Sequence, residues 1–155
     1  DTDRLLMDFP DLDDLIARAN PIPESERETR FIERMAREAL TLSLQRHAGV
    51  IRHYYTATGK KTIAEGKDLT AVEYVIGTGG ALTRLPGGRR ILEAAGEMKK
   101  GLELYPPAGV KALVDRDYIM ASLGVLAKRY PEDALTLLRR SLGLDSVDNP
   151  ADRAV

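Results

Sequence analysis

Tyr74-Val75-Ile76-Gly77-Thr78-Gly79-Gly80-Ala81-Leu82-Thr83-Arg84-Leu85-Pro86 is the stretch from which the fold of this chain is read. Val72, Tyr74, Val75 and Ile76 are β-branched or aromatic, which predicts a strand over 72–77. Gly77, Gly79 and Gly80 then break it. Glycine reaches backbone angles closed to other residues and lets main chain approach a ligand. Past Pro86, the run Arg89-Arg90-Ile91-Leu92-Glu93-Ala94-Ala95 predicts a helix over about 87–99, stopped by Gly101. The order is strand, glycine turn, helix, and in open α/β sheets ligands bind at that junction. The turn is therefore expected at the carboxyl end of a strand, open to solvent and not within a helix.

Two common phosphate motifs fail on residues. A dinucleotide fingerprint needs Gly-x-Gly-x-x-Gly or Ala, and Leu82 stands at the third position. A P-loop needs Gly-Lys followed by Ser or Thr. The Gly-Lys pairs here run Gly59-Lys60-Lys61 and Gly66-Lys67-Asp68.

Upstream of the turn, Ser25-Glu26-Arg27-Glu28 is a capping box. It opens a long helix predicted over about 26–52. Phe31, Met35, Ala39 and Leu42 form one apolar stripe, with Ile32, Ala36, Leu40 and Leu44 beside it, an arc wide enough to cover a sheet. Glu33, Arg34, Arg37 and Glu38 read as its solvated face. Before it, Leu5, Leu6, Met7 and Phe9 suggest a strand or docking arm, and Asp11 a cap for a short helix over 12–20. Residues 54–70 read as a polar connection, either an ordered loop or a short hairpin. Lys60, Lys61 and Lys67 there could attract a phosphate, but a solvated loop is the preferred reading.

Downstream, 102–105 and 112–114 are candidate strands. Asp117 is the expected cap of a helix over about 118–129, and Pro131 opens a last helix that Gly143 closes. These elements divide the chain into an arm with a short helix at 1–24, a body at 25–144 and a flexible tail at 145–155. The fold class is helix-rich α/β.

Composition narrows the function classes. Lys plus Arg is 23 against Asp plus Glu 24, a formal charge of −1 that argues against a dedicated nucleic-acid binder. Cysteine is absent, which removes disulfides, thiolate metal clusters and cysteine nucleophiles. No apolar run approaches the ~18 residues of a membrane span, and Asp1-Thr2-Asp3-Arg4 does not begin a signal peptide. The start at Asp1 suggests a piece of a longer chain. His47 and His53 would point in different directions on one helix, so no metal site is expected. No Gly-x-Ser-x-Gly elbow is present, and no catalytic residue is assigned.

The glycine stretch resembles the adenosine motif of the actin, heat-shock-chaperone and sugar-kinase ATPases. One extra residue stands between Gly80 and Thr83 compared with the chaperone pattern. The helix around Tyr118-Ile119-Met120-Ala121-Ser122-Leu123-Gly124 is similar to their small-residue closing helix, Gly124 being read as a close-packing position. More narrowly, Gln45-Arg46-His47-Ala48-Gly49, Gly66-Lys67-Asp68-Leu69-Thr70 and Val75-Ile76-Gly77-Thr78-Gly79-Gly80 resemble the MutL-type accessory proteins of glutamate (methylaspartate) mutase. That family is unrelated to the mismatch-repair protein of the same name. The likeness runs over roughly 25–145 and matches the C-terminal part of much longer proteins.

The resemblance implies a partial actin-like ATPase (ribonuclease H-like) C-terminal subdomain. It also implies a cytoplasmic ATP-binding factor that maintains or reactivates an adenosylcobalamin-dependent mutase. This chain would supply the adenosine side of the cleft, with Mg held through the rest of the parent and no hydrolysis by the piece alone. The nucleotide-binding candidates are Gly77, Thr78, Gly79, Gly80, Thr83 and Arg84. Thr78 and Thr83 would bond a ribose. Arg84 would stack on adenine or reach a phosphate, or else pair with Glu93 or Asp115. The alternatives are a non-catalytic interaction module that binds the mutase without nucleotide, and a fragment of a small-molecule kinase. A homodimer is expected because the arc of the long helix is wider than the predicted sheet.

Overall fold

The computed structural model describes residues 2–18, 20, 22–98 and 101–144, with side chains from residue 5 onward at the N-terminus. The expected tail at 145–155 lies outside the described residues. The first elements are helices α1 (Thr2–Asp8) and α2 (Leu12–Ala17). The strand or arm expected before Pro10 is thus a helix. It is held by Phe9, Leu12 and Phe31, which form a buried cluster with the two rings edge to face at 5.5 Å. Asp11 does not cap α2 with its side chain. Its carboxylate instead pairs with Arg27, whose hydrogen bond holds the Asp11 pKa below its ordinary value.

Helix α3 (Glu26–His47) opens as its capping box predicts. Ser25 Oγ accepts from the Glu28 amide at 3.2 Å, and the Glu28 carboxylate accepts from the Glu24 amide at 2.7 Å. The helix ends five residues before the expected Arg52. Val50 and Ile51 begin strand β1 (Val50–Thr56) instead, which pairs antiparallel with β2 (Gly59–Glu65) from Val50 opposite Glu65 to Thr56 opposite Gly59. β-Branched residues suit a pleated pair better than another helical turn. Gly49 is buried at the junction, where a Cβ would stand 2.5 Å from the Glu65 carbonyl oxygen. The polar connection is therefore a hairpin, and its first strand includes residues that look helical in sequence. At its base the Ile51 amide donates to Leu102 O at 2.7 Å. The expected strand at 102–105 is only an isolated bridge between Glu103 and Val50.

The α3 face read as solvated is a docking face. Glu33 Oε1 accepts from the Gly87 amide at 2.6 Å, Arg37 reaches Glu97 at 2.7 Å, and Arg34 meets Asp8 at 3.0 Å and Glu38 at 3.1 Å. Glu33, Arg34 and Arg37 thus reach partners in three other segments, while Glu38 pairs within the helix, which no reading of the helix alone reveals. Conversely, Met35 is 40% and Leu42 47% exposed, so only part of the apolar arc is covered.

The glycine stretch forms the centre of a βαβ unit. Strand β3 (Tyr74–Gly77) leads through α4 (Gly80–Thr83), α5 (Gly88–Glu93) and a 3-10 turn (Ala94–Glu97) to β4 (Lys111–Val114). β4 pairs parallel to β3, Tyr74 opposite Lys111 and Gly77 opposite Val114. The strand begins two residues later than predicted. The single helix expected over 87–99 is a shorter helix with a 3-10 end, and Lys99 lies outside the described residues. Ile91, Leu92, Ala94 and Ala95 bury α5 against β4 and α3.

Helices α6 (Met120–Leu126) and α7 (Pro131–Ser141) are the last elements of the described residues, with Leu123 and Ala134 buried. Gly143, at φ +71°, ends α7 as expected. The cap of α6 is Asp115, not Asp117: its carboxylate accepts from the Ile119 amide at 3.2 Å and the Met120 amide at 2.9 Å. To bring that about the chain bends at Tyr118 into the left-handed region, φ 56°. The helix therefore starts two residues later than its sequence pattern suggests.

Candidate functional site

Gly77 ends β3 and is buried, because a Cβ there would stand 2.5 Å from Leu92 Cδ1 and 3.0 Å from Leu82 Cδ1. The leucine that breaks the dinucleotide pattern is thus accommodated by the missing side chain of Gly77. Gly79 carries φ +96°, the left-handed backbone that turns the strand into α4. Gly80 is exposed and is the first residue of α4; Gly79 and Gly80 have nothing within 4 Å of an added Cβ. The turn thus lies at the carboxyl end of β3 and opens outward, with only Gly80 of the four residues 77–80 in a helix.

A groove of about 440 Å³ runs over this turn. Ala36, Ala39, Leu40 and Ser43 of α3 form one wall, and Thr78, Gly79, Gly80 and Ala81 the other. Small side chains on α3 leave this space. Its walls are largely apolar, with hydroxyls from Ser43 and Thr78, which suits a flat apolar ring with polar edges. Thr83 lines a second groove of about 360 Å³ with Arg89 and Arg116. The fold therefore brings Thr78, Gly79 and Gly80 together and sets Thr83 apart from them.

Both threonine hydroxyls have local acceptors. Thr83 Oγ1 donates to Gly79 O at 3.0 Å, and Thr78 Oγ1 donates to Asp115 Oδ2 at 3.1 Å. Each hydroxyl keeps lone pairs, so a ligand hydroxyl would have to donate to it. Arg84 follows α4, is exposed, and makes neither of the ion pairs expected as its alternative. Glu93 is paired with Arg89 at 3.1 Å, and the Asp115 carboxylate is enclosed.

Asp115 is the residue whose importance sequence reasoning missed. It is fully buried just after β4 and accepts from Ser141 Oγ at 2.5 Å, from the Met120 and Ile119 amides and from Thr78 Oγ1. Burial pushes its pKa up. The bonds from Ser141, Met120, Ile119 and Thr78 outweigh that and hold it below the ordinary aspartate value. One carboxylate thus ties the glycine turn to both closing helices. An aspartate directly after a strand and five residues before a helix was the available signal. Among the described residues no cluster of His, Cys, Asp and Glu could hold a metal, and His53 bonds Thr62 at 3.0 Å.

The family model for MutL protein matches residues 8–142. The chain belongs to the MutL protein family. Protein MutL of Clostridium tetanomorphum is 35% identical over 121 residues, which cover 78% of this chain and 26% of that protein. The chain thus spans about a quarter of the curated MutL relative. Its match takes in the glycine turn, the βαβ unit and Asp115, all within the family-model region. No solved structure matches the chain. Among the described residues no helix is long and apolar enough to cross a membrane.

Proposed function

We propose that this chain is the adenosine-side subdomain of an ATP-binding accessory factor that serves an adenosylcobalamin-dependent mutase, of the glutamate mutase type. The fold would be part of an actin-like ATPase C-terminal subdomain, with Mg and the phosphate-handling groups supplied by the rest of the parent protein. The observation that carries this reading is the outward-facing glycine turn at the end of β3, roofed by small residues of α3. Membership of the MutL family supports the mutase partner.

The residues fit an adenine nucleotide. Gly79 and Gly80 leave main chain open to close approach, and Arg84, exposed directly after α4, has no ion-pair partner among the described residues. A planar cation can stack on a purine or reach a phosphate. In the bound state Thr78 accepts from a ribose hydroxyl, since its own proton is already committed. ATP binding and release would then change how this subdomain sits against the rest of the parent, and so act on the mutase.

The test is nucleotide titration of the full-length protein beside this chain alone. Submillimolar ATP binding in the parent that is lost with Gly80→Val supports the reading. ATP affinity unchanged by Gly80→Val would leave a nucleotide-independent mutase-binding module as the better account.

A further inference from the structure

Arg30, Arg34 and Arg37 lie at helical spacing on one face of α3, and Arg90 of α5 faces them across a cleft of about 230 Å³. Glu33, Gly87 and Ile91 complete the lining. Four guanidiniums therefore meet one carboxylate inside the cleft. Glu33 is already engaged, since its Oε1 accepts from the Gly87 amide at 2.6 Å.

The remaining carboxylates that pair with these arginines stand outside the lining. Arg30 pairs with Glu26 at 2.6 Å and Arg37 with Glu97 at 2.7 Å, both exposed pairs of the kind that contribute little and exchange readily. Arg34 is different. Its Nη1 donates to Asp8 and its Nη2 forms an ion pair with Glu38, which leaves the Nε edge. Among the described residues, Arg34 Nε is the one buried side-chain polar atom with no hydrogen-bond partner. A buried donor without an acceptor is costly and calls for a ligand, ion or water. Arg90 is exposed and likewise has no ion-pair partner among the described residues.

We propose that this cleft binds a phosphate-type oxyanion. Arg34 of α3 and Arg90 of α5 line the cleft with donors left unpaired, and a tetrahedral dianion offers more acceptor oxygens than a planar carboxylate. Guanidinium forks match that geometry. The volume admits a phosphate group with a small substituent and little more. The site is separate from the groove over the glycine turn, which uses the next turns of α3 and meets this cleft only at Ile91.

The test is calorimetric titration of inorganic phosphate and of phenyl phosphate into the full-length protein. The expected result is one saturable site per chain that weakens with added salt. Affinity should fall about tenfold with Arg90→Ala, as for loss of one charge-assisted donor. Arg34→Lys, which removes the Nε donor and keeps the charge that pairs with Asp8, should also weaken it. Gly80→Val should leave phosphate binding unchanged, so failure here and failure of the nucleotide reading are separable. Tighter binding of phenyl phosphate marks an esterified ligand, and equal binding a free anion. Absence of saturable binding, or binding indifferent to both arginine variants, overturns the proposal.

Discussion

Ser141 Oγ donates a 2.5 Å hydrogen bond to Asp115 Oδ1, joining the last residue of α7 to the end of β4 across 26 positions of sequence. Both residues are fully buried. The other Asp115 oxygen holds Thr78 of the glycine turn and the Met120 amide. A buried carboxylate is tolerated because these donors satisfy it.

Ser141→Ala should therefore destabilise the chain by about 1.5–3 kcal/mol, the range for a hydrogen bond to a charged group. Asp115→Ala should cost more, because it orphans two hydroxyls and two amides at once. Urea denaturation of each variant checks the order. Equal stability of Ser141→Ala and the parent sequence would refute the bond's importance.

The lowered pKa of Asp115 sets a pH dependence with a definite sign. An aspartate with a folded value below its ordinary 3.8 contributes stability that is present above that value. That contribution disappears as pH falls below 3.8 toward the folded value. Asp115→Asn should be less stable than the parent sequence at neutral pH, and the gap should narrow on acidification through that window. Denaturant midpoints measured from pH 7 down to about pH 3 test it.

Glycines within one stretch should differ in what they tolerate. At Gly88 an added Cβ would stand 1.9 Å from the Leu82 carbonyl oxygen, so Gly88→Ala should cost about 3 kcal/mol or more through a main-chain clash. Gly79→Ala should cost about 1–2 kcal/mol from its left-handed backbone alone. Gly80 has open space and no positive φ, so Gly80→Ala should leave the melting temperature nearly unchanged. Thermal melts of the three variants rank them directly.

If the turn holds adenine nucleotide, Arg84→Ala in the full-length protein should raise the ATP dissociation constant without lowering the melting temperature, because the exposed Arg84 side chain makes no ion pair or hydrogen bond among the described residues. The chain alone presents half a cleft and should bind no tighter than about millimolar, near −4 kcal/mol. Micromolar ATP binding by the isolated chain would contradict a shared cleft.

The half-covered arc of α3 predicts self-association of the isolated chain. Met35 and Leu42 stand exposed on it, as do Leu135 and Leu137 on α7. Sedimentation velocity should show a dimer at high concentration, weakened by Leu42→Glu. A strict monomer across the whole concentration range would show that these exposed side chains are simply solvated.

Local chemistry was sufficient for the glycine turn, the Ser25 cap, the start of α7 at Pro131 and its stop at Gly143. Each of these acts through backbone geometry within a few residues, so its signal is contained in its own stretch. The resemblance to the MutL family rested on motifs of the same local kind, Gly77 to Gly80 above all. Tertiary structure alone decided that 50–52 leave α3 for a strand, because their partners at 63–65 stand across the hairpin. It also made Asp115 the cap of α6, through Ser141 and Thr78, which lie far away in sequence. Arg84 pairs with neither expected carboxylate for a related reason: Glu93 had a nearer arginine and Asp115 was already enclosed. The arginine cleft arises in the same way, since Arg90 meets Arg30, Arg34 and Arg37 only once α5 folds back along α3. Contacts between distant segments depend on the path of the chain in space, which no periodicity or cap signal within one segment records.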